Sequence, residues 1–236
     1  MLTTRSQKGN VAHGYRLTVG RLCATKRFME PNWAADHLQV IRTLMERSAL
    51  YRRALAPIMM VAGGTGLAAA IGTCFIKIEA PRSFSAFWLG VSLVASIASF
   101  LLVRRQALKD AEPFWSLPTR RVIRALLPAF LLGLVGGIVF LADETLPSSA
   151  NWFLAVSWTA IYGCALHAAG FFMQRGIRLL GWAFVVGGLA AFLAGFVRPQ
   201  LQSAEAAHYV MGLFFGLLHL AYGIYLYFTE KIRKSA

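Results

Sequence analysis

The chain has 236 residues, of which 57% are hydrophobic and only 14% charged, and its formal net charge at pH 7 is +14. A soluble domain carries about a quarter charged residues, so this composition excludes an ordinary soluble protein and indicates a membrane protein. Because each crossing of a bilayer needs about 20 apolar residues, the length is best counted in membrane spans.

The first part of the chain, residues 1–28, holds six basic residues, no acidic residue and no apolar run. It therefore contains no signal-peptide core. Its composition fits a transit peptide, since it is rich in arginine and hydroxyl side chains. The interpretation we favour is an over-extended start, in which Met29 rather than Met1 begins the protein and the residues before it are disordered.

Residues 33–53 show the periodicity of a helix. Asp36 is a candidate N-cap, and Leu38, Ile41 and Met45 recur at spacings of three and four. We expect a short cytoplasmic amphipathic helix that packs under the bundle against the connection 104–124. Binding to the membrane surface and dimerisation stay open as alternatives.

Six apolar runs follow, each long enough to cross a bilayer. We interpret them as helices, because a lone strand would leave its backbone groups unsatisfied in lipid. The runs are residues 54–76, 86–103, 122–142, 152–173, 178–197 and 207–228. The predicted fold is therefore all-α, a polytopic membrane protein with a bundle of six transmembrane helices and a cytoplasmic tail at 229–236.

Lysine and arginine are distributed very unevenly between the two sets of connecting segments. One set, which includes both termini, holds twenty-one of them, whereas the other holds only Lys77, Arg82 and Arg198. Because cytoplasmic loops carry the excess of basic residues, both termini are expected in the cytoplasm. The positive charge is then explained by attraction to anionic lipid headgroups, and no nucleic-acid partner is predicted.

Small residues recur four positions apart within most of the apolar runs. Such faces let helices approach closely and pack by van der Waals contact, since lipid provides little hydrophobic drive for helix association. Helix packing is therefore expected at Gly64, Ala68, Gly72, Gly133, Gly137, Gly163, Gly170, Gly187, Ala191, Gly195, Gly212, Gly216 and Gly223. This pattern indicates a compact bundle without indicating an activity.

Two histidines lie inside these glycine stripes. His167 shares a face of the fourth span with Gly163, and His219 shares a face of the sixth with Gly216. Both spans are expected to run from outside to inside. At 1.5 Å per residue the two side chains lie about 12 and 18 Å from the inner boundary, which is compatible with a shared site.

Three interpretations stay open for His167 and His219. In the first, which we favour, each histidine is neutral and hydrogen-bonds a neighbouring helix, and the protein has no cofactor. In the second, they line the path of a substrate or proton, because ionisable groups within membranes are commonly functional. In the third, they are the axial ligands of haem b, and the glycines make room for the porphyrin.

Motifs for other chemistry are absent from the sequence. Cys23, Cys74 and Cys164 have no short CxxC spacing, and no zinc-protease, serine-hydrolase or phosphate-loop pattern occurs. The sequence therefore predicts no metal site and no catalytic residue. We expect that the protein is not an enzyme.

Three segments carry a resemblance to a known group of proteins: LQVIRTLMERSALYRRALAPIM, GCALHAAGFFMQRGIRLLGW and GLLHLAYGIYLYFTE. Together they cover about a quarter of the chain and resemble bacterial six-span inner-membrane proteins of about this size. The resemblance implies a bacterial cytoplasmic membrane, which favours the start at Met29. It implies no activity, because none is assigned to that group.

The sequence thus predicts a non-enzymatic protein of the bacterial inner membrane with a regulatory, sensory or scaffolding role. A small transporter or channel-like protein with His167 and His219 on its path is the alternative. Besides lipid, the expected partner is a second copy of the chain or another membrane protein.

Overall fold

A computed structural model of the protein describes residues 55–109 and 117–235, together with Leu38, Ala111 and Trp115. The chain divides into two units, residues 1–47 and 48–236, and the described long helices belong to the second. The predicted segment 1–28 and the predicted helix 33–53 lie outside the described residues, except for Leu38, which is helical and exposed.

Six helices are long and apolar enough to cross a membrane, and the described part of the chain contains no strand. They are α1 (Leu55–Thr73), α2 (Pro81–Lys109), α3 (Leu117–Ala142), α4 (Ala150–Ala169), α5 (Arg175–Val197) and a sixth span, Ala204–Thr229. The sixth span is composed of α6 (Ala204–Met211), a π-helical segment (Gly212–Leu218) and α7, which continues to the end of the described chain (His219–Ser235). These helices confirm the predicted all-α class, and the protein is a multi-pass membrane protein.

Most of the helices begin or end a few residues away from the ends of the apolar runs, and α2 and α4 show why. α2 extends beyond both ends of the predicted span 86–103, because Pro81 suits the first helical position and the polar last turn still favours a helix. α4 ends at Ala169, several residues before the predicted end at 173. Beyond it the N–H groups of Phe171 and Phe172 donate to carbonyls three residues earlier, which tightens the chain into a turn.

Two clusters of buried side chains lie at opposite ends of the bundle. The Trp88 cluster joins α2, α4 and α6 and consists of Phe84, Trp88, Trp152, Leu154, Ala155, Val156, Trp158, Ala207, Val210 and Met211. The Leu55 cluster joins α1, α4, α5 and α7 and consists of Leu55, Ala56, Met59, Leu166, Ile177, Leu180, Phe184 and Leu226. We name the two ends of the bundle after these clusters. The first residues of α1 and the last turns of the sixth span lie at the Leu55 end.

α4 is the central helix of the bundle. Half of the residues in its most apolar stretch are buried, against 6% in α2 and 6% in α3. The apolar side chains of α2 and α3 are therefore mostly directed outward, where a bilayer rather than protein surrounds them. This asymmetry places the polar side chains of α4 at the middle of the molecule.

The backbones of α4 and α5 are in direct contact at glycines. A Cβ atom at Gly163 would lie 2.6 Å from the nitrogen of Val185, and one at Gly181 would lie 2.6 Å from the nitrogen of His167. Neither separation leaves room for a Cβ, so only glycine permits the two helices to approach this closely. The pairing fixes the relative height of α4 and α5.

α1 packs against the sixth span in the same way. A Cβ atom at Gly66 would lie 2.6 Å from the carbonyl oxygen of Phe215, and one at Gly63 would lie 2.8 Å from the carbonyl oxygen of Gly216. The glycines that allow this contact differ from those that the spacing of four singled out in the first span.

The predicted packing stripe of the first span faces away from the other described helices. A Cβ atom at Gly64 or Gly72 would meet no described atom within 4 Å, and Ala68 is exposed. Gly63 and Gly64 are adjacent, so a helix carries them on faces about 100° apart. The spacing pattern alone does not decide which of these faces meets a neighbour.

The other predicted packing positions lie against neighbouring side chains or backbone. A Cβ atom would meet Trp158 at Gly133 and Gly137, Arg178 at Gly170, Phe214 at Gly187, Trp152 at Gly195, Ala70 at Gly212, Leu67 at Gly216 and Met60 at Gly223, and Ala191 packs on the Trp88 cluster. α3 is also held by hydrogen bonds, because Trp158 donates to the carbonyl of Gly133 and Ser85 donates to that of Gly137.

Candidate functional site

His219 lies at the first position of α7, and only 2% of its surface is exposed. Its Nε2 atom lies 3.0 Å from the hydroxyl oxygen of Tyr162 on α4, and its Nδ1 atom lies 2.9 Å from the carbonyl oxygen of Phe214. Both ring nitrogens therefore have protein partners. The sequence singled out His219, but it did not identify Tyr162 as its partner.

The partners determine where the proton of the neutral ring resides. The carbonyl oxygen of Phe214 can only accept a hydrogen bond, so Nδ1 of His219 must carry the hydrogen. The lone pair on Nε2 then accepts from the hydroxyl of Tyr162. The neutral imidazole is thus held as the Nδ1–H tautomer with no unused nitrogen.

The π-helical segment immediately before His219 makes this arrangement possible. π-helical turns contain more residues than α-helical turns, are rare, and occur frequently at functional sites. Here the wider turns bring the carbonyl of Phe214 to a side chain five residues later. They also rotate the residues that follow relative to those that precede.

This rotation changes one prediction for the sixth span. Gly212 and Gly216 face α1, where a Cβ on either would collide with Ala70 or Leu67. His219 instead contacts α4 and α5. Gly223, beyond the π segment, also meets α1, so the three predicted glycines share that face and His219 does not.

Aromatic rings close the space around the pair. The ring of Tyr162 lies within 6.1 Å, centroid to centroid, of the rings of Phe130, Phe184 and Phe215, which belong to α3, α5 and the π segment. Phe184 and Phe215 also contact His219, and Phe184 has no exposed surface. The hydrogen-bonded pair therefore lies where four helices meet.

A second buried histidine, His208 on α6, lies in the Trp88 end of the bundle. The indole Nε1–H of Trp88 donates to its Nδ1 atom at 3.0 Å, and its Nε2 atom lies 3.0 Å from the carbonyl oxygen of Ile78. Because indole only donates and a carbonyl only accepts, the neutral ring must be the Nε2–H tautomer. This tautomer is the opposite of the one at His219.

The sequence did not single out His208, because it lies at the very start of the predicted span 207–228. The available signal was weak: Trp88 and His208 both lie near the same predicted side of the membrane, within two different spans. Only the packing of α2 against α6 brings them together. In this packing the ring centroids of Phe84 and His208 lie 4.8 Å apart.

His167 does not join His219 in a shared site. Its ring contacts Phe171 and Trp182, each 5.3 Å away between centroids, whereas His219 contacts none of these residues. It makes no hydrogen bond to a residue that the structure describes, and its Nδ1 atom is buried without a partner. The two predicted site residues thus lie in separate surroundings.

These surroundings do not fit bis-histidine haem ligation. An axial ligand must offer a free ring nitrogen to iron, but both nitrogens of His219 are hydrogen-bonded to the protein. The rings of Phe184 and Phe215 also occupy the space beside the imidazole.

Polar side chains at the start of α2 and in the connection between α3 and α4 contact one another at the Trp88 end. Arg82 pairs with Glu144, and both side chains are exposed. The hydroxyl and the backbone N–H of Thr145 donate to the carboxylate of Asp143 at 2.6 and 2.9 Å and hold the pKa of that carboxyl below its ordinary value. These contacts order the connection between α3 and α4.

Within the described part of the chain, no three His, Cys, Asp or Glu side chains lie close enough together to bind a metal ion. Cys74 and Cys164 are exposed and unpaired there, and Cys23 lies outside it. The buried histidine–tyrosine pair is therefore the arrangement that offers most to functional interpretation.

No protein-family model, no curated protein and no solved structure matches the chain. The resemblance to bacterial six-span inner-membrane proteins thus stays a prediction, and the functional argument depends on the geometry of the bundle.

Proposed function

We propose that the protein is a non-enzymatic, membrane-embedded scaffold of the bacterial cytoplasmic membrane. Of the regulatory, sensory and scaffolding roles that its sequence suggests, scaffolding best suits a bundle in which His208 and His219 are both buried and hydrogen-bonded to protein groups. The protein then acts by presenting a fixed arrangement of helices to lipid and to other membrane components, including further copies of itself. It uses neither a cofactor nor nucleic acid.

The observation that carries this proposal is the hydrogen bonding of the two fully buried histidines. His208 and His219 each have protein partners on both ring nitrogens. Such rings cannot bind a substrate or exchange a proton with one unless these bonds break, and breaking them costs the desolvation of a buried polar group. Polar side chains used in this way hold helices together.

The distribution of charge supports an orientation with both termini in the cytoplasm. Among residues 55–109 and 117–229, eight side chains at the Leu55 end are cationic and none is a carboxylate. They are Arg104, Arg105, Lys109, Arg120, Arg121, Arg124, Arg175 and Arg178. The Trp88 end has Lys77, Arg82 and Arg198 against Glu79, Asp143, Glu144 and Glu205. The positive-inside rule then assigns the Leu55 end to the cytoplasm.

The alternative function, a small transporter, needs a water-accessible route that includes His167 and His219. Their lack of common contacts and the aromatic packing of His219 both favour the scaffold. The two functions differ in whether water reaches the interior of the bundle, and this difference can be measured directly.

Thiol labelling tests the proposal. In a variant with Cys23, Cys74 and Cys164 replaced by Ala, a single cysteine is introduced by Ala155→Cys or Ala165→Cys, both at buried positions. Proteoliposomes are treated from each side with a charged, membrane-impermeant maleimide. We expect no labelling at either position.

The matched control is a variant that keeps only the exposed Cys74, which the reagent should label from one side. Labelling of Ala155→Cys or Ala165→Cys at a rate near that of Cys74 would overturn the scaffold proposal. It would show that water enters the interior and would favour the transporter.

A further inference from the structure

Basic and aromatic side chains gather around His167 where α4 turns into α5. The guanidinium carbon of Arg178 lies over the ring of Phe171, 5.3 Å from its centroid. The same ring of Phe171 meets His167 edge-on, and Trp182 meets His167 from α5. The cation, two aromatic rings and an imidazole thus form one continuous cluster at the Leu55 end.

Several polar groups of this cluster lack partners among the described residues. His167 makes no hydrogen bond to any of them, and the amide nitrogen of Gln174 is buried without an acceptor. Arg175 and Arg178 have no carboxylate partner in the described part of the chain. The guanidinium groups of the exposed Arg175 and the half-buried Arg178 therefore have no charged acceptor within the described part of the chain and can donate to a bound anion.

The charge of the missing group follows from its surroundings. Among residues 55–109 and 117–229, the Leu55 end carries eight cationic side chains and no carboxylate, which favours an anion there. Arginine in particular forms strong, geometrically defined hydrogen bonds with phosphate.

The shape of the surface identifies this anion as part of a lipid. Beyond Arg175 and Arg178, the same face of α5 continues with Leu179, Trp182 and Val186, at spacings of three and four residues, and all three side chains are exposed. A phosphate held by the arginines therefore has an apolar track beside it that leads into the membrane. A free phosphate ion would make no use of this track.

We propose that the α4–α5 turn binds one anionic phospholipid from the cytoplasmic leaflet. Arg175 and Arg178 hold its phosphate, and its acyl chain lies along Leu179, Trp182 and Val186. His167 contacts the ring of Phe171, over which the guanidinium of Arg178 lies, so it supports this arginine from within the protein. The inference rests on the proposed orientation of the Leu55 end but is independent of the scaffolding role.

Native mass spectrometry of the detergent-purified protein tests the inference, with phosphatidylglycerol and phosphatidylcholine added in separate titrations. We expect the protein to retain one phosphatidylglycerol in preference to phosphatidylcholine. Arg175→Gln and Arg178→Gln should each weaken phosphatidylglycerol retention about tenfold, because each removes a charge-assisted hydrogen bond. The variant Arg198→Gln, at the opposite end of α5, is the matched control and should retain phosphatidylglycerol like the parent protein.

The side chain of Arg175 is exposed, so Arg175→Gln tests the site even if Arg178→Gln does not fold. Equal retention of the two lipids by the parent protein would overturn the inference, as would unchanged phosphatidylglycerol retention in Arg175→Gln. Inorganic phosphate at millimolar concentration could also lower phosphatidylglycerol retention by the parent protein to the level seen in Arg175→Gln. That result would identify a free-phosphate site instead of a lipid site. None of these outcomes depends on whether the interior of the bundle is closed.

Discussion

His219 and His208 are held in opposite tautomers by the same kind of partner. In each case a backbone carbonyl requires a hydrogen on one ring nitrogen, and a side-chain donor occupies the other nitrogen. A single substitution that removes the side-chain donor therefore leaves one buried ring nitrogen of the histidine without a hydrogen-bond donor. This dependence makes the contribution of each pair measurable.

For the His219–Tyr162 pair we predict strong coupling between substitutions. Tyr162→Phe keeps the ring but removes the donor to Nε2, and it should destabilise the protein by about 1 kcal/mol. His219→Leu removes the acceptor and leaves the hydroxyl of Tyr162 unsatisfied. Because the double variant contains neither unsatisfied group, its loss of stability should be smaller than the sum of the single losses.

The free energy of unfolding of the four proteins, measured in one detergent or bicelle, gives the coupling. Tyr209→Phe serves as control, since the hydroxyl of Tyr209 is on an exposed side chain and donates to Glu205. Its effect should stay within about 0.5 kcal/mol. Additive losses in the double variant would mean that the hydrogen bond contributes nothing to the stability of the bundle.

At the scale of helices, the face on which a glycine lies decides how much stability is lost when it is replaced by a larger residue. Gly63→Leu should destabilise the protein by about 3 kcal/mol or prevent folding, because its side chain would enter the backbone of the sixth span at Leu220. Gly64→Leu should change stability little, since described atoms are absent within 4 Å of its Cβ. Thermal unfolding in detergent compares the two adjacent variants.

Equal losses at Gly63 and Gly64 would contradict the packing of α1 against the sixth span. The comparison is well matched, because both substitutions add the same side chain to neighbouring positions of one helix. Any general effect of leucine on membrane insertion or helix propensity is therefore common to both variants.

The number of spans could be predicted from sequence, whereas the way they pack could not. Hydropathy depends on local composition, so it located all six helices, although most of their ends are shifted by a few residues. Spacing of four residues located glycines, but it could not choose between Gly63 and Gly64, since that choice depends on which helix lies alongside. The π segment has no hydropathy signal, and it decides the direction of His219.

The candidate site was accessible from the sequence only in part. His219 could be singled out as a polar residue within an apolar span, and hydrogen bonding between helices was the favoured interpretation. Its partner Tyr162 is one of several aromatic residues in α4, and nothing local distinguishes it. The Trp88–His208 contact joins residues 120 positions apart, so it exists only in the folded bundle.

At the scale of the whole molecule, the two ends of the bundle differ in charge, and this difference predicts how the protein is inserted. Alkaline phosphatase, which folds only outside the cytoplasm, should be active when fused after Glu144 and inactive when fused after Arg175 or at the C-terminus. The reverse pattern would place the cationic end outside and would contradict the proposed orientation. Neutralising single arginines should not invert the protein, because the excess of charge is distributed over several connections.

The central claim is that the buried histidines serve as fixed connections within a closed bundle. Solid-state ¹⁵N NMR of histidine-labelled protein in lipid bilayers tests it most directly, because the protonated and unprotonated ring nitrogens have well-separated chemical shifts. His208→Gln and His219→Gln variants assign the two signals among the five histidines of the chain. We predict the Nε2–H tautomer at His208 and the Nδ1–H tautomer at His219, and Tyr162→Phe should shift only the Nε2 signal of His219. The same tautomer at both positions, or a His219 ring that exchanges between tautomers, would contradict the claim.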